Sequence, residues 1–228
     1  MARHVRGFDV DAAQAHLRRV DKKLAAWMDR IGHLPADPRW KKPFDVSDAL
    51  ARAILYQQLS GKAAATIVGR VEVAIDSSKL HADTLGRVDD ATIRACGVSG
   101  NKLLALRDLS ARADRGEIPD AKRMATMSDD EIVAALVPVR GIGRWTVEMM
   151  LMFRLGRPDV LPVDDLGIRK GAQKIDRRAE MQAPCALAER GERWGPYRTY
   201  ASLYLWRVSD FVAPTKAVAK QPVKRSQG

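Results

Sequence analysis

The sequence predicts an all-α fold, and three observations carry that prediction. Apolar residues recur at spacings of three and four along most of the 228-residue chain, as the buried stripe of a helix requires. Helix-starting residues precede several of these stretches. No run of four to eight residues shows a convincing period-two alternation, and no repeat of 20–50 residues is evident.

Taken in order, Asp11 to Met28 places Leu17, Val20, Leu24 and Trp27 on one stripe. The Pro-rich "LPADPRWKKPFD" then connects to a helix expected from Ser47 to Leu59, with Leu50, Ala53, Ile54 and Gln57 on one face. Ser60 opens the next, "GKAAATIVGRVEVAI". Ser99 to Arg115 carries Leu103, Leu106 and Leu109 and stops at Gly116. "SDDEIVAAL" is a capping box, with Glu131 three residues after Ser128. Further helices are expected from Arg144 to Leu155, from near Asp164, and from Tyr197 to Phe211 after Pro196. Nine to eleven helices are expected in all.

Composition narrows the function. Hydrophobic residues make up 46% and charged residues 29%, an ordinary globular balance. No apolar run approaches the roughly 18–20 residues that span a bilayer, and the N-terminus lacks a secretory pattern. A cytoplasmic protein with no membrane partner is expected. Two cysteines, Cys96 and Cys185, are too few for a thiolate zinc site or an iron–sulfur cluster. His4, His16, His33 and His81 have no metal-ligand spacing, so no metal is expected. The net charge is +11, of which residues 214–228 supply +4 through Lys216, Lys220, Lys224 and Arg225. That tail reads as disordered, or as a non-specific phosphate contact. The basic remainder suits a polyanion, chiefly nucleic acid.

Two short stretches carry chemistry. In "VPVRGIGRWTVEMMLMF", Gly141 and Gly143 flank Ile142 between two helical patterns. Such a turn is either a plain tight connection between two helices or an anion site, whose backbone N–H groups at a helix start bind a phosphate without reading a base. In "VLPVDDLGIRKG", Asp164 and Asp165 stand together at the mouth of a helix.

These stretches closely resemble the helix–hairpin–helix DNA glycosylases, and within them the 3-methyladenine DNA glycosylase II family. "RGIGRWT" is similar to the family's hairpin, "AILYQQLSGKAAATI" to its Gln-Gln-Leu-Ser junction, and "WGPYRTYASLYLW" to its C-terminal helix. Arg140 departs from the Pro that often precedes the hairpin, and a minimal form without the N-terminal β domain of some members is expected. The resemblance covers about residues 44–212 and implies a two-lobed fold within residues 1–213. One lobe would comprise about 1–45 and 141–213, the other about 46–140, with the active-site cleft between them.

It also implies roles. Asp165 would be the catalytic acid, stabilising the oxocarbenium-like sugar formed as the N-glycosidic bond breaks. Asp164 would cap the helix. Trp145, Trp206 and Met149 would line the base pocket, with Tyr56, Phe44 and Trp40 as further candidates. Gly141, Ile142, Gly143, Arg144 and Thr146 would form the phosphate-binding hairpin, while Gln57, Gln58, Leu59 and Ser60 would probe the minor groove and fill the gap left by a flipped base. Lys62 and Arg198 are candidate phosphate contacts. Trp145 stands where bifunctional relatives place a Schiff-base lysine, so a monofunctional enzyme leaving an abasic site is expected. The expected partner is double-stranded DNA with alkylated bases, the expected state a monomer, and no cofactor is expected beyond a possible monovalent cation at the hairpin. The alternatives are a non-catalytic helix–hairpin–helix DNA-binding protein, or a glycosylase for oxidised or deaminated bases.

Overall fold

A computed structural model describes residues 4–212. The basic tail at 214–228 lies outside them. Among the described residues there are thirteen α-helices and no strand, slightly more helices than expected. The extra ones are single turns and short segments that periodicity over a long window cannot register.

The chain begins with α1 (Val10–Val20) and α2 (Lys22–Ile31). The single stripe expected over Asp11–Met28 is therefore two helices. Asp21 breaks it, its backbone extended at φ −140°, while its carboxylate accepts from Leu24 N to start α2. A 3₁₀ turn (Pro38–Lys41) leads to α3 (Val46–Tyr56) and α4 (Gly61–Ala74). Asp45, rather than Ser47, caps α3. The short α5 (Ala82–Leu85) and α6 (Asp90–Ala95) precede α7 (Gly100–Asp114), α8 (Ala121–Met124) and α9 (Asp129–Leu136). Ser60, Ser99 and Ser128 cap α4, α7 and α9 as expected. Each such cap contributes about 1 kcal/mol.

The hairpin helix α10 (Arg144–Met150) runs into a π-helical turn, Leu151–Leu155. The wider turn frees carbonyls from the regular ladder. Trp40 Nε1 donates to Met152 O at 2.8 Å, and Arg6 Nε to Arg154 O at 2.9 Å. The last helices are α11 (Leu166–Asp176), α12 (Pro184–Gly191) and α13 (Arg198–Asp210).

Two hydrophobic cores organise these elements. One gathers buried residues from Val46 to Val160, the other Ala13 to Met28 with Ile168 to Val208. Ile142, Val147, Met150 and Leu151 pack with the first core, so the hairpin helix sits with residues 46–140, although the sequence placed it in the other lobe. The second core buries Trp194, Tyr200 and Tyr204 completely. A fully buried large apolar side chain contributes roughly 1.5–3 kcal/mol. Leu203 and Trp206 on α13 touch both cores and so mark the seam between them.

Candidate active site and nucleic-acid interface

Asp165 is the N-cap of α11: its Oδ1 accepts from Ile168 N at 2.9 Å. This corrects the assignment of the cap to Asp164, which is exposed and makes no cap bond. The second acid of the pair carries the cap because the helix starts one residue later than expected. Asp165 accepts two further bonds, from Trp206 Nε1 to Oδ1 and from Trp145 Nε1 to Oδ2, each at 2.8 Å. No cation pairs with it among the described residues.

Three elements meet to make this arrangement. Trp145 lies in the first turn of α10, Asp165 at the start of α11, and Trp206 on α13. Gly167 permits the close approach: a Cβ there would stand 2.8 Å from Trp206 Cδ1 and 3.2 Å from Asp165 Oδ1. Three N–H donors suit a carboxylate, which in its ionised form only accepts, and they fix its plane. Trp145 is 49% exposed, so one end of the cluster opens to solvent and can receive a ligand.

Phe153 extends the aromatic wall. It stacks on Trp206 with centroids 5.9 Å apart and planes at 23°, and Arg39 lies 4.4 Å over its ring. Asp37 grips Arg39 through Nε at 2.9 Å and Nη2 at 2.6 Å. Sequence reasoning missed Phe153. Its signal was the i+4 series from Trp145 through Met149 to Phe153, which the π-helical turn interrupts. Met149 is half-buried and packs on the first core.

Trp40 is placed differently from the base-pocket expectation. It is 6% exposed, its N–H is engaged by Met152 O, and Phe8 packs 4.7 Å from its ring. It is an interior residue that anchors the N-terminal segment on the π-helical turn. Phe44 lies beneath the Arg6 guanidinium, 5.0 Å from its ring centre, and packs on the first core. Neither contacts the Asp165 cluster. Tyr56 is 43% exposed at the end of α3.

The hairpin has the expected shape. Gly141 takes φ +79°, Ile142 is 3% exposed and donates its N–H to Val139 O at 3.0 Å, and Gly143 caps α10. No side chain caps that helix start, so its leading N–H groups stay open to an acceptor. Thr146 N closes the turn onto Gly143 O at 3.0 Å. Arg144 is held by Glu148 at 3.1 Å. Burial pushes the Glu148 carboxyl above the usual range against the pull of Arg144, and the charges of Asp164 and Asp165 add to the rise.

The Gln-Gln-Leu-Ser turn lies beside the hairpin. Gln57 Nε2 donates to Gly141 O at 2.7 Å, so its amide is already engaged. Gln58 takes φ +56° and is exposed, Leu59 is 40% exposed, and Ser60 caps α4. Arg198 is paired with Asp159 at 2.8 Å, whereas Lys62 is exposed.

Sequence and fold both resemble those of known DNA repair proteins. The profile of the HhH-GPD superfamily base excision DNA repair proteins matches residues 51–196. DNA-3-methyladenine glycosylase 1 of Schizosaccharomyces pombe is 32% identical over 207 residues, 90% of each chain. The structure of the S. pombe 3-methyladenine DNA glycosylase in complex with abasic DNA superposes with a TM-score of 0.76, covering 90% of this chain and 100% of that one at 32% identity. A DNA-3-methyladenine glycosidase from Bacillus halodurans gives 0.78, over 89% and 92% of the two chains, again at 32% identity. The chain belongs to the HhH-GPD superfamily of base excision DNA repair proteins.

Proposed function

We propose that this protein is a DNA glycosylase that removes alkylated purines, such as 3-methyladenine and 7-methylguanine, from duplex DNA and leaves an abasic site. The observation that carries the reading is Asp165, an acid held by two indole N–H groups at 2.8 Å beside an open aromatic face. A phosphate-binding module has no use for that arrangement. The relatives named above are 3-methyladenine glycosylases, and one is bound to abasic DNA.

The chemistry follows from the substrate. Alkylation at N3 or N7 puts positive charge on the purine. Once the nucleotide is flipped out, at a cost of a few kcal/mol, its C1′–N9 bond breaks heterolytically. The electron pair leaves with the base, which departs neutral, and the sugar becomes oxocarbenium-like. The Asp165 carboxylate stabilises that cation, and water adds at C1′ and loses a proton. The indole of Trp145 and the Trp206–Phe153 wall offer π faces to the cationic base, about 0.5–2 kcal/mol per ring. The hairpin N–H groups hold a phosphate while Gln58 and Leu59 occupy the gap. Trp145 stands at the Schiff-base position, so water is the nucleophile and the strand stays intact. The protein acts as a monomer, without a cofactor.

The test is incubation with duplexes carrying 3-methyladenine or 7-methylguanine. Free base is expected, with strand breakage only after alkali and no borohydride-trapped adduct. Tight binding without any base release would favour a DNA-binding module instead.

A further inference from the structure

The helix α7 fastens both DNA-directed turns. Lys102, Ala105 and Asp108 follow one another at intervals of three, along one side of the helix. Lys102 Nζ donates to Leu55 O at 2.7 Å, in the last turn of α3, and to Gln57 O at 2.8 Å, on its C-cap. Asp108 Oδ2 accepts from Arg140 N at 2.8 Å, at the entry to the hairpin. Ala105 lies between them, 3.3 Å from where a Cβ on Gly141 would stand. Gln57 then ties the two turns directly through Gly141 O.

This bracing ends on an exposed tip. Gln58, Leu59 and Ser60 all face solvent, and Gln58 holds a left-handed φ of +56° without being glycine. A residue keeps such a conformation only where its surroundings determine it. Lys102 gives up hydration to reach the two carbonyls, and burial lowers its pKa. A glycine after α3 would end the helix without drawing an ammonium into a part-buried site. The extra fastening therefore fixes where the tip stands relative to the hairpin.

We propose that Gln57 and Lys102 are positioning residues for base eversion, joining the minor-groove probe and the phosphate clamp into one rigid jaw. Gln57 on this account is a strut rather than the residue that fills the gap. The inference rests on the glycosylase reading. It predicts that gripping a phosphate at the hairpin sets the depth at which Gln58 and Leu59 enter the duplex. Loosening the strut leaves the clamp able to bind DNA but lets the probe drift, so the flipped state is less populated.

The test uses the full chain with Gln57→Ala, Lys102→Met, Lys102→Arg and the double variant Gln57→Ala/Lys102→Met. Three quantities are read beside the wild type. They are affinity for undamaged duplex, fluorescence of 2-aminopurine placed next to a 7-methylguanine, and the single-turnover rate of base release at saturating protein. The expected result is affinity within about twofold, release slowed roughly tenfold or more, and a smaller fluorescence rise. The double variant should be little worse than the slower single one, because the two residues act as a unit. Lys102→Arg should recover part of the rate. Unchanged release at saturation overturns the proposal, as does a parallel fall in affinity, melting temperature and release. Gln57→Ala, at a half-exposed site, keeps the test decisive if Lys102→Met folds poorly. A wild type that releases no base sinks the glycosylase reading instead, so the two failures are distinct.

Discussion

Trp206 donates its indole N–H to Asp165 Oδ1 at 2.8 Å across 41 residues of sequence. The bond joins α13 to the start of α11, and it fixes one oxygen of the carboxylate while Trp145 fixes the other. Removing the N–H while keeping an aromatic ring separates orientation from stacking. Trp206→Phe should slow single-turnover base release about tenfold, near 1.4 kcal/mol, with the melting temperature little changed. Single-turnover kinetics with a 7-methylguanine duplex checks this, and a rate equal to wild type would show that the bond does not orient Asp165.

Gly141 at φ +79° shapes the hairpin, and a Cβ there would also press on Ala105 at 3.3 Å. Gly141→Ala should destabilise the turn by about 1–2 kcal/mol. DNA affinity should fall with it, while the steep salt dependence expected of phosphate contacts becomes shallower. Denaturation and binding titrations over a range of salt read both effects.

Glu148 provides a pH test. The residue is 8% exposed, and burial raises its carboxyl pKa in the folded state. The folded chain therefore holds that proton more tightly than the unfolded chain, and stability falls as pH rises from the unfolded value through the folded one. Glu148→Gln lacks this loss. Its melting temperature should exceed wild type at pH 8, with the gap closing as pH falls below the unfolded carboxylate range. A constant gap across that range would contradict the assignment.

Arg190 is clamped between Asp21 at 3.0 Å and Asp176 at 2.6 Å, with side chains at most 9% exposed. Burial raises the Asp176 carboxyl, but Arg190, with Lys23 and Gln182, outweighs it and holds the pKa below the ordinary value. Arg190→Met leaves the buried Asp21 carboxylate without a cation and Asp176 with only Lys23 at 3.4 Å, and should cost about 3–5 kcal/mol. The stabilisation of Asp176 is present above its unfolded pKa and lost as pH falls through the lower folded one. The deficit of the variant should therefore narrow in acid, which melting curves across pH would show.

Much of this was legible in the sequence because the signals were local. Ser60, Ser99 and Ser128 announced their helices, and the Gly-Ile-Gly turn announced the hairpin. Asp165, Trp145 and Trp206 came from the family resemblance, and the structure brings all three together. What the sequence hid depends on interruption or on distance. Asp21 splits an unbroken apolar stripe, a cap overriding periodicity. The π-helical turn shifts Phe153 onto Trp206 and draws Trp40 inward. Asp165 takes the cap from Asp164 because the helix starts one residue later. Gln57 reads as a probe from its motif, but its partner lies 84 residues away, beyond the reach of any local pattern.

The central claim is that the Asp165 carboxylate stabilises the sugar cation as the base leaves. Asp165→Asn keeps the size, the acceptor oxygen and much of the cap while removing the charge. Its rate of 7-methylguanine release at saturating protein is the most direct measurement. The account predicts a fall of roughly 10²–10³-fold, with affinity for undamaged duplex within about twofold of wild type. Release at the wild-type rate by Asp165→Asn would contradict it.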